Sequence, residues 1–270
     1  MKPPSDLARP ILKWAGGKRQ LLPALRQRVP KQYGTYFEPF FGGGALFFAL
    51  RPDRAVLADA NARLIRMYRG VRDDVDKVIA LLKSYPHDAS FFYEMRKVAI
   101  DAQSDAEVAA WFIYLNRCGY NGLYRVNRQN QFNVPFGRYK NPTICNETVL
   151  RRSSEALRSA DLLIGDFEDA IRPAKAGDFV YFDPPYVPLS ATSSFTSYTS
   201  AAFDDEHQAR LRDVARRLKA GGVSVLLSNS SAPSVRALYK KGFTVRSVAA
   251  KRAVNSDASK RGPVPELLIS

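Results

Sequence analysis

Asp178-Phe179-Val180-Tyr181-Phe182-Asp183-Pro184-Pro185-Tyr186 is the stretch whose reading decides the fold. Its first half is a short apolar run, Asp178–Phe182, closed by a turn that carries two prolines. A run of that length and type reads as a buried strand. Downstream, Val223–Leu227 (VSVLL) reads as another, and the helical pattern Glu206–Lys219 between them stops at Gly221-Gly222, a C-terminal helix signal. Upstream, Tyr36–Phe40, the glycines Gly42-Gly43-Gly44 and Ala45–Leu50 read as strand, tight turn and helix. Arg54–Ala58 (RAVLA) is a further short strand ending at Asp59, and Asn61–Val71 looks helical. Strands alternating with helices in this way imply an α/β fold around a mostly parallel sheet.

The middle of the chain differs. It is helical at first (Val75–Lys83, Phe91–Ile100, Ala106–Asn116) and then becomes rich in Gly, Asn, aromatic and basic residues from Arg117 to Arg125. Between 117 and 152 there are seven Lys or Arg and a single acid, Glu147. The expected organisation is one domain made of residues 1–68 and 161–270, interrupted by a second domain, 69–160.

Bulk composition sets the class of partner. With 270 residues, 46% of them hydrophobic, the chain can bury a full core. Lys and Arg outnumber Asp and Glu by 41 to 26, a formal charge of +15, which favours a polyanionic partner. Two cysteines (Cys118, Cys145) and two histidines (His87, His207) form no metal-ligand cluster and no disulfide framework. No metal site is expected. No run approaches a membrane span, so a soluble, cytoplasmic protein is the expectation; nothing in the sequence demands a dimer, so a monomer is expected.

The turn after the central strand carries the chemistry. At the carboxyl end of a parallel strand a turn faces the ligand crevice. An exocyclic amine of adenine or cytosine is a poor nucleophile, because its lone pair is delocalised into the ring. The Asp183 carboxylate and the Pro184 carbonyl can each accept one of its N–H groups and so concentrate electron density on nitrogen. Pro185 lacks an N–H and stiffens the turn, and Tyr186 offers a face for a base turned out of its stack. The bland alternative is an ordinary Asp-Pro turn.

The glycine turn is weaker evidence by itself. It is not the dinucleotide fingerprint, because Phe47 stands where Gly or Ala is needed. Nor is Gly17-Lys18 a phosphate-cradling loop, because Arg19 follows. Asp59 lies 17 positions after Gly42 at the end of the next strand, where it can accept from ribose hydroxyls; a helix cap before Asn61 is the competing role. Lys13-Trp14-Ala15-Gly16-Gly17-Lys18 precedes the first strand. There Trp14 can cover a cofactor and Lys18 neutralise a carboxylate, or both can be ordinary core and surface residues.

In order, KWAGGK, FEPFFGGG, ADAN, NRCGYNGLYR, FNVPFGRYKNP, DPPYVPLSAT and LLSNS resemble the Dam-type (D12 class) site-specific DNA adenine-N6 methyltransferases, from about Lys13 to Leu268. The resemblance implies a class I, Rossmann-like S-adenosylmethionine-dependent methyltransferase sheet. It also implies an inserted, mostly helical target-recognition domain containing a β-hairpin. Trp14, Lys18, Glu38, Phe40, Gly42, Gly44, Asp59, Asp166, Phe167 and Asp183 would bind the cofactor, with S-adenosylhomocysteine as product. The DNA-contacting positions would be Lys13, Tyr120, Asn121, Leu123, Arg125, Asn133, Pro135, Arg138 and Tyr139, and the family's usual target is GATC in double-stranded DNA. Arg125 suits a bidentate contact to guanine, worth roughly 1–3 kcal/mol of discrimination. Leu123 and Pro135 suit thymine methyls, and Tyr120 suits the gap left by a flipped base. The NGLYR stretch can equally be a plain hairpin turn.

The uncharged Ser/Thr-rich segment Pro188–Phe203 is expected to order over the flipped adenine, or to be a simple connector. The basic stretch 240–262 is expected near the DNA backbone. No cysteine follows a proline, which disfavours cytosine-C5 chemistry. Three alternatives remain open: a non-catalytic DNA-binding regulator, an amino-methyltransferase acting on cytosine N4 or RNA, and a nicotinamide enzyme on a similar sheet.

Overall fold

A computed structural model describes residues 8–187, 203–251 and 263–270. Among these, seven strands form one sheet: β1 Tyr36–Glu38, β2 Ala55–Asp59, β3 Ala160–Ile164, β4 Phe179–Phe182, β5 Ser224–Ser230, β6 Val245–Lys251 and β7 Pro263–Ile269, ordered β3-β2-β1-β4-β5-β7-β6. β2, β1, β4 and β5 run parallel, and β7 returns antiparallel between β5 and β6. The sheet is therefore mixed, with a mostly parallel centre.

The helices are α1 Leu22–Arg26, α2 Ala45–Leu50, α3 Ala62–Asp73, α4 Val75–Ser84, α5 Ala89–Lys97, α6 Asp105–Cys118, α7 Glu147–Leu157, α8 Phe167–Ala170, α9 Asp205–Ala220 and α10 Pro233–Leu238. No helix among the described residues is long and apolar enough to cross a membrane.

The chain packs as two compact units. The first is drawn from the N-terminal segment up to Gly17, Gly42–Arg51 and Asp59–Gly165; the second from Lys18–Phe41, Pro52–Ala58 and the chain from Asp166 onward. In the second unit all four residues of β4 are buried, as a strand covered on both faces must be. Asp178 lies just before β4, where it anchors the strand by accepting from the backbone N–H groups of Thr35 (2.8 Å) and Lys175 (2.9 Å). In the first unit α6 buries residues on nearly every side, from Ala106 to Cys118. Its start is fixed by a capping box in which Ser104 and Glu107 satisfy each other's backbone N–H.

The structure adjusts several expected boundaries. β1 ends at Glu38 rather than Phe40, β2 runs to Asp59, and β4 starts at Phe179. β5 runs on to Ser230: its polar end is buried, with the Ser228 and Asn229 side chains hydrogen-bonded and the Ser230 N–H given to the Asn229 carboxamide oxygen. The helix read as Phe91–Ile100 stops at Lys97, and Ile100 begins a separate turn of 3₁₀ helix. Strands β3, β6 and β7 and helices α1, α7, α8 and α10 were not anticipated.

Candidate active site and target-reading surface

In the second unit β1 and β4 are parallel neighbours, and the chain continues in opposite directions across the sheet from them, through β2 on one side and β5 on the other. The carboxyl ends of two such strands bound the crevice where open α/β sheets bind ligands. Glu38 ends β1 and is buried, accepting from the Tyr36 hydroxyl at 2.8 Å. Asp183 follows β4.

Asp183 is gripped from one side. Its Oδ1 receives the Lys18 ammonium at 2.9 Å and the Ser228 hydroxyl at 2.8 Å. Ser228 has one proton and gives it to Asp183, so Tyr181 donates its own hydroxyl to Ser228, at 2.9 Å. The relay Tyr181–Ser228–Asp183 is thus directional. No donor among the described residues reaches Oδ2, and the side chain remains 20% exposed while Lys18 is 4% exposed. Burial raises the Asp183 carboxyl above its ordinary value, and Lys18 and Ser228 oppose that rise.

The rest of the turn is also tied. The Tyr186 hydroxyl donates to Glu266 at 2.6 Å, and the Lys18 ammonium stands over its ring, 4.5 Å from the centroid. Burial, with Asp183 and Glu266 nearby, holds the Tyr186 hydroxyl well above its ordinary range, so it stays neutral. Pro185 presents its carbonyl to the buried Gln208 amide (3.1 Å), whose oxygen accepts in turn from Asn229 (2.9 Å). Ser228, Gln208, Asn229 and Glu266 were not among the expected site residues. Their one sequence signal was a polar triplet, Ser228-Asn229-Ser230, at the end of an apolar strand.

Phe40 stacks on Phe167, with ring centroids 5.3 Å apart. The Arg210 guanidinium lies over the Phe167 ring at 4.4 Å and also pairs with Asp166, which caps α8.

In the first unit the glycine turn is built against Trp14. Gly42 has φ +47°, and a Cβ placed there would lie 2.8 Å from the indole Cδ1 and Nε1. Trp14 in turn stacks with Phe112 and Tyr124. Gly44, also at positive φ, is the N-cap of α2. Asp59 is not the cap of α3; Asn61 is, accepting from the Leu64 N–H. The Asp59 carboxylate instead accepts from the backbone N–H of Gly42 and of Asn61, both at 2.9 Å. Burial raises its pKa, and those two N–H groups oppose the rise.

The expected DNA-contacting residues of this unit lie on its surface or half-buried. Tyr120 is 52% exposed, and its backbone N–H bonds to the Pro135 carbonyl. Asn121 adopts a left-handed conformation, φ 55°. Arg125 reaches the Asn133 side chain at 2.8 Å, and Lys13 bonds the Tyr139 hydroxyl at 3.2 Å. Antiparallel bridges join Gly119 to Phe136 and Val126 to Phe132. Along 131–135, Phe132 and Val134 point inward while Gln131 and Pro135 are exposed. Leu123 is half-buried and Arg138 exposed. Residues 188–202 of the expected covering segment, and 252–262 of the basic stretch, lie outside the described residues.

A family model for the D12 class N6 adenine-specific DNA methyltransferases matches residues 14–254. The chain is 47% identical over 270 residues to the type II methyltransferase M1.LlaDCHI of Lactococcus lactis subsp. cremoris, covering 97% of this chain and 95% of that protein. It is 40% identical over 283 residues to the type II methyltransferase M.MjaIII of Methanocaldococcus jannaschii, covering 97% and 98%. To the DNA adenine methylase of Escherichia coli (strain K12) it is 36% identical over 264 residues, covering 96% and 94%. With a carboxylate turn at the end of the central strand and a match across almost its whole length, the chain belongs to the D12 class N6 adenine-specific DNA methyltransferases.

Proposed function

We propose that the protein transfers a methyl group from S-adenosylmethionine to the N6 amine of adenine within GATC in double-stranded DNA, acting on a base flipped out of the helix. The observation that carries this reading is the asymmetry at Asp183. Oδ1 is saturated by Lys18 and Ser228, while Oδ2 has no donor among the described residues. A carboxylate held in this way has one oxygen committed to orientation and the other available to accept an N–H from the substrate amine. With the Pro185 carbonyl taken by Gln208, the Pro184 carbonyl is the second acceptor.

The chain's donor set fits the cofactor. Asp59, with two of its four lone-pair sites used by backbone N–H groups, keeps capacity for ribose hydroxyls. The turn at Gly42 and Gly44 has no Cβ and lets backbone approach a ligand closely. Trp14, Lys18, Glu38, Phe40, Asp166 and Phe167 complete the proposed set. When bound, S-adenosylmethionine supplies an electrophilic methyl on sulfonium and leaves as S-adenosylhomocysteine. The chain's residues orient the amine in line with that methyl, so that a nitrogen–carbon bond forms as the carbon–sulfur bond breaks. The methylated nitrogen then releases its proton without a strong base. Rate comes from orientation and from hydrogen bonds that strengthen as the amine rehybridises.

Tyr120, Asn121, Leu123, Arg125, Asn133, Pro135, Arg138 and Tyr139, within an inserted recognition domain, 69–160, that carries a β-hairpin, read the target together with Lys13; residues 1–68 and 161–270 form the catalytic domain. The +15 charge meets phosphate. The enzyme acts as a cytoplasmic monomer, in a restriction-modification or housekeeping setting.

Incubation with methyl-labelled S-adenosylmethionine and two duplexes, one containing GATC and one with the site scrambled, tests the proposal. Label in N6-methyladenine on the first duplex alone is expected. Label on both would remove the assigned target, and label on neither would overturn the reading.

A further inference from the structure

We infer that Asn116 is a positioning residue for target-base discrimination, holding Lys13 against the Tyr120–Gly122 loop. The inference rests on the proposal that Lys13 and this loop contact DNA. Asn116 lies near the end of α6, is 1% exposed, and uses its whole amide on two separate segments. Its Oδ1 accepts from the Lys13 backbone N–H at 3.0 Å. Its Nδ2 donates to the Lys13 carbonyl at 2.9 Å and to the Gly122 carbonyl at 2.7 Å. One buried side chain thus fixes Lys13 by both its backbone groups and ties it to a loop more than a hundred residues later.

The junction is tight as well as bonded. Gly122 has φ +65°, and a Cβ there would lie 2.5 Å from Cδ of Lys13 and 2.7 Å from its Cβ. The Lys13 stem is therefore laid directly along the loop backbone. Its ammonium then bonds the Tyr139 hydroxyl and lies 4.6 Å from that ring's centroid. A lysine side chain in solution samples many rotamers. Fixing its backbone, stem and head at three points converts it into a donor at a defined place, its stem along Gly122 and its ammonium at Tyr139. A lysine so placed suits the O6 and N7 acceptors of a guanine edge. Asn116 touches no base in this arrangement and acts through Lys13.

The experiment measures kcat/KM of the full-length protein on GATC duplexes and on duplexes in which the first G·C pair is replaced by each other pair. The GATC preference is the ratio of the two. Wild type, Asn116→Ala, Lys13→Ala and the double variant are compared, with cofactor affinity and Tm measured on each. Asn116→Ala and Lys13→Ala are each expected to lower the preference at least about fivefold, the lower end of what one good base contact contributes. The double variant should be no worse than Lys13→Ala alone, and cofactor affinity should be unchanged. A general loss of stability would not move this ratio. If Lys13→Ala lowers the preference and Asn116→Ala leaves it intact, the positioning role is overturned while the DNA-reading proposal stands. If Lys13→Ala itself leaves the preference intact, the reading of Lys13 falls, and the role given to Asn116 falls with it. Should Asn116→Ala fail to fold, Asn116→Asp, isosteric but without the Nδ2 donors, carries the same comparison.

Discussion

Replacing Ser228 by alanine removes the central link between Tyr181 and Asp183. Its consequences separate into a stability effect and a pH effect. The Tyr181 hydroxyl is buried, with the residue 1% exposed, and Ser228 is its hydrogen-bond partner. Burial pushes its pKa well above the ordinary value, so it cannot escape by ionising. An orphaned buried hydroxyl costs about 1–3 kcal/mol. At roughly 2–4 °C per kcal/mol for a domain of this size, Tm should fall by about 4–8 °C for a loss of about 2 kcal/mol. Tyr181→Phe alone should cost only about 1 kcal/mol, because Ser228 still donates to Asp183. In the double variant the orphan is absent, so the two losses should fall short of additivity by at least about 0.5 kcal/mol. The pH effect follows from the carboxyl. Asp183 has a folded-state pKa above its ordinary value, so its contribution to stability is present at low pH and is lost as pH rises through that raised value. On the role proposed for Asp183, activity needs the carboxylate and therefore runs the other way, failing as pH falls through the raised value. The Ser228 bond favours the ionised form, so Ser228→Ala must move the acidic limb of kcat to higher pH, whereas Tyr181→Phe must leave it nearly in place. Thermal unfolding and a pH–rate profile on the three variants are sufficient. An unmoved acidic limb in Ser228→Ala, or strict additivity of the Tm losses, would refute the relay.

Asp183→Ala should abolish methyl transfer while duplex affinity, followed by gel shift or anisotropy, stays within a few-fold of wild type; substantial turnover would remove Asp183 from its assigned role. Gly42→Ala forces an L-residue to positive φ, at about 1–2 kcal/mol, and drives its Cβ against the Trp14 indole. It should lower Tm by roughly 2–8 °C and weaken S-adenosylmethionine binding in a calorimetric titration; wild-type values for both would show that the turn has no such constraint. Duplex affinity should fall steeply and linearly on a log–log plot against salt, by counterion release, and a flat plot would show that the basic surface does not meet phosphate.

The parallel centre of the sheet was legible because its strands obey simple patterns. β4 is a continuous apolar run, and α9 ends on two glycines. The antiparallel edge was hidden for equally physical reasons. β7 begins Pro263-Val264-Pro265, and proline is a strand breaker in any reading by propensity, although an edge or strand-start position tolerates it. β6 spans Arg246, Ser247 and Lys251, too polar to announce itself. β3 carries exposed Leu163 and Ile164, so it lacks the alternation that marks a half-buried strand. The cap of α3 shows a finer failure. Asp59 and Asn61 are both good capping residues two positions apart, and only the backbone path shows that Asn61 takes the role while Asp59 turns to the glycine loop.

At the candidate site, the residues legible in sequence are those with local signatures: the Asp-Pro-Pro-Tyr turn, the glycine turn, and the Gly/Asn-rich basic loop. Of the residues that hold them in place, Gln208 and Glu266 have none, and for Asn229 and Asn116 the surrounding motif does not show which segment each one reaches. Gln208 and Asn229 are 21 positions apart and steady Pro185 only as a pair; Glu266 reaches Tyr186 across 80 positions; Asn116 reaches Lys13 across 103. Each is a polar side chain in a buried position, and sequence patterning treats such a residue as a blemish on an apolar face. Burial reverses that judgement. A carboxamide has two donors and an acceptor carbonyl, and leaving them unmatched in the interior costs free energy. A fold that keeps Asn116, Gln208 and Asn229 buried must therefore match them: Asn116 is matched to the backbone of Lys13 and Gly122, Gln208 to the Pro185 carbonyl, and Asn229 to Gln208 and the Ser230 N–H. The Asp183–Tyr186 turn and Lys13 are thus held in part by buried amides whose own hydrogen-bonding demands tie them to the surrounding backbone.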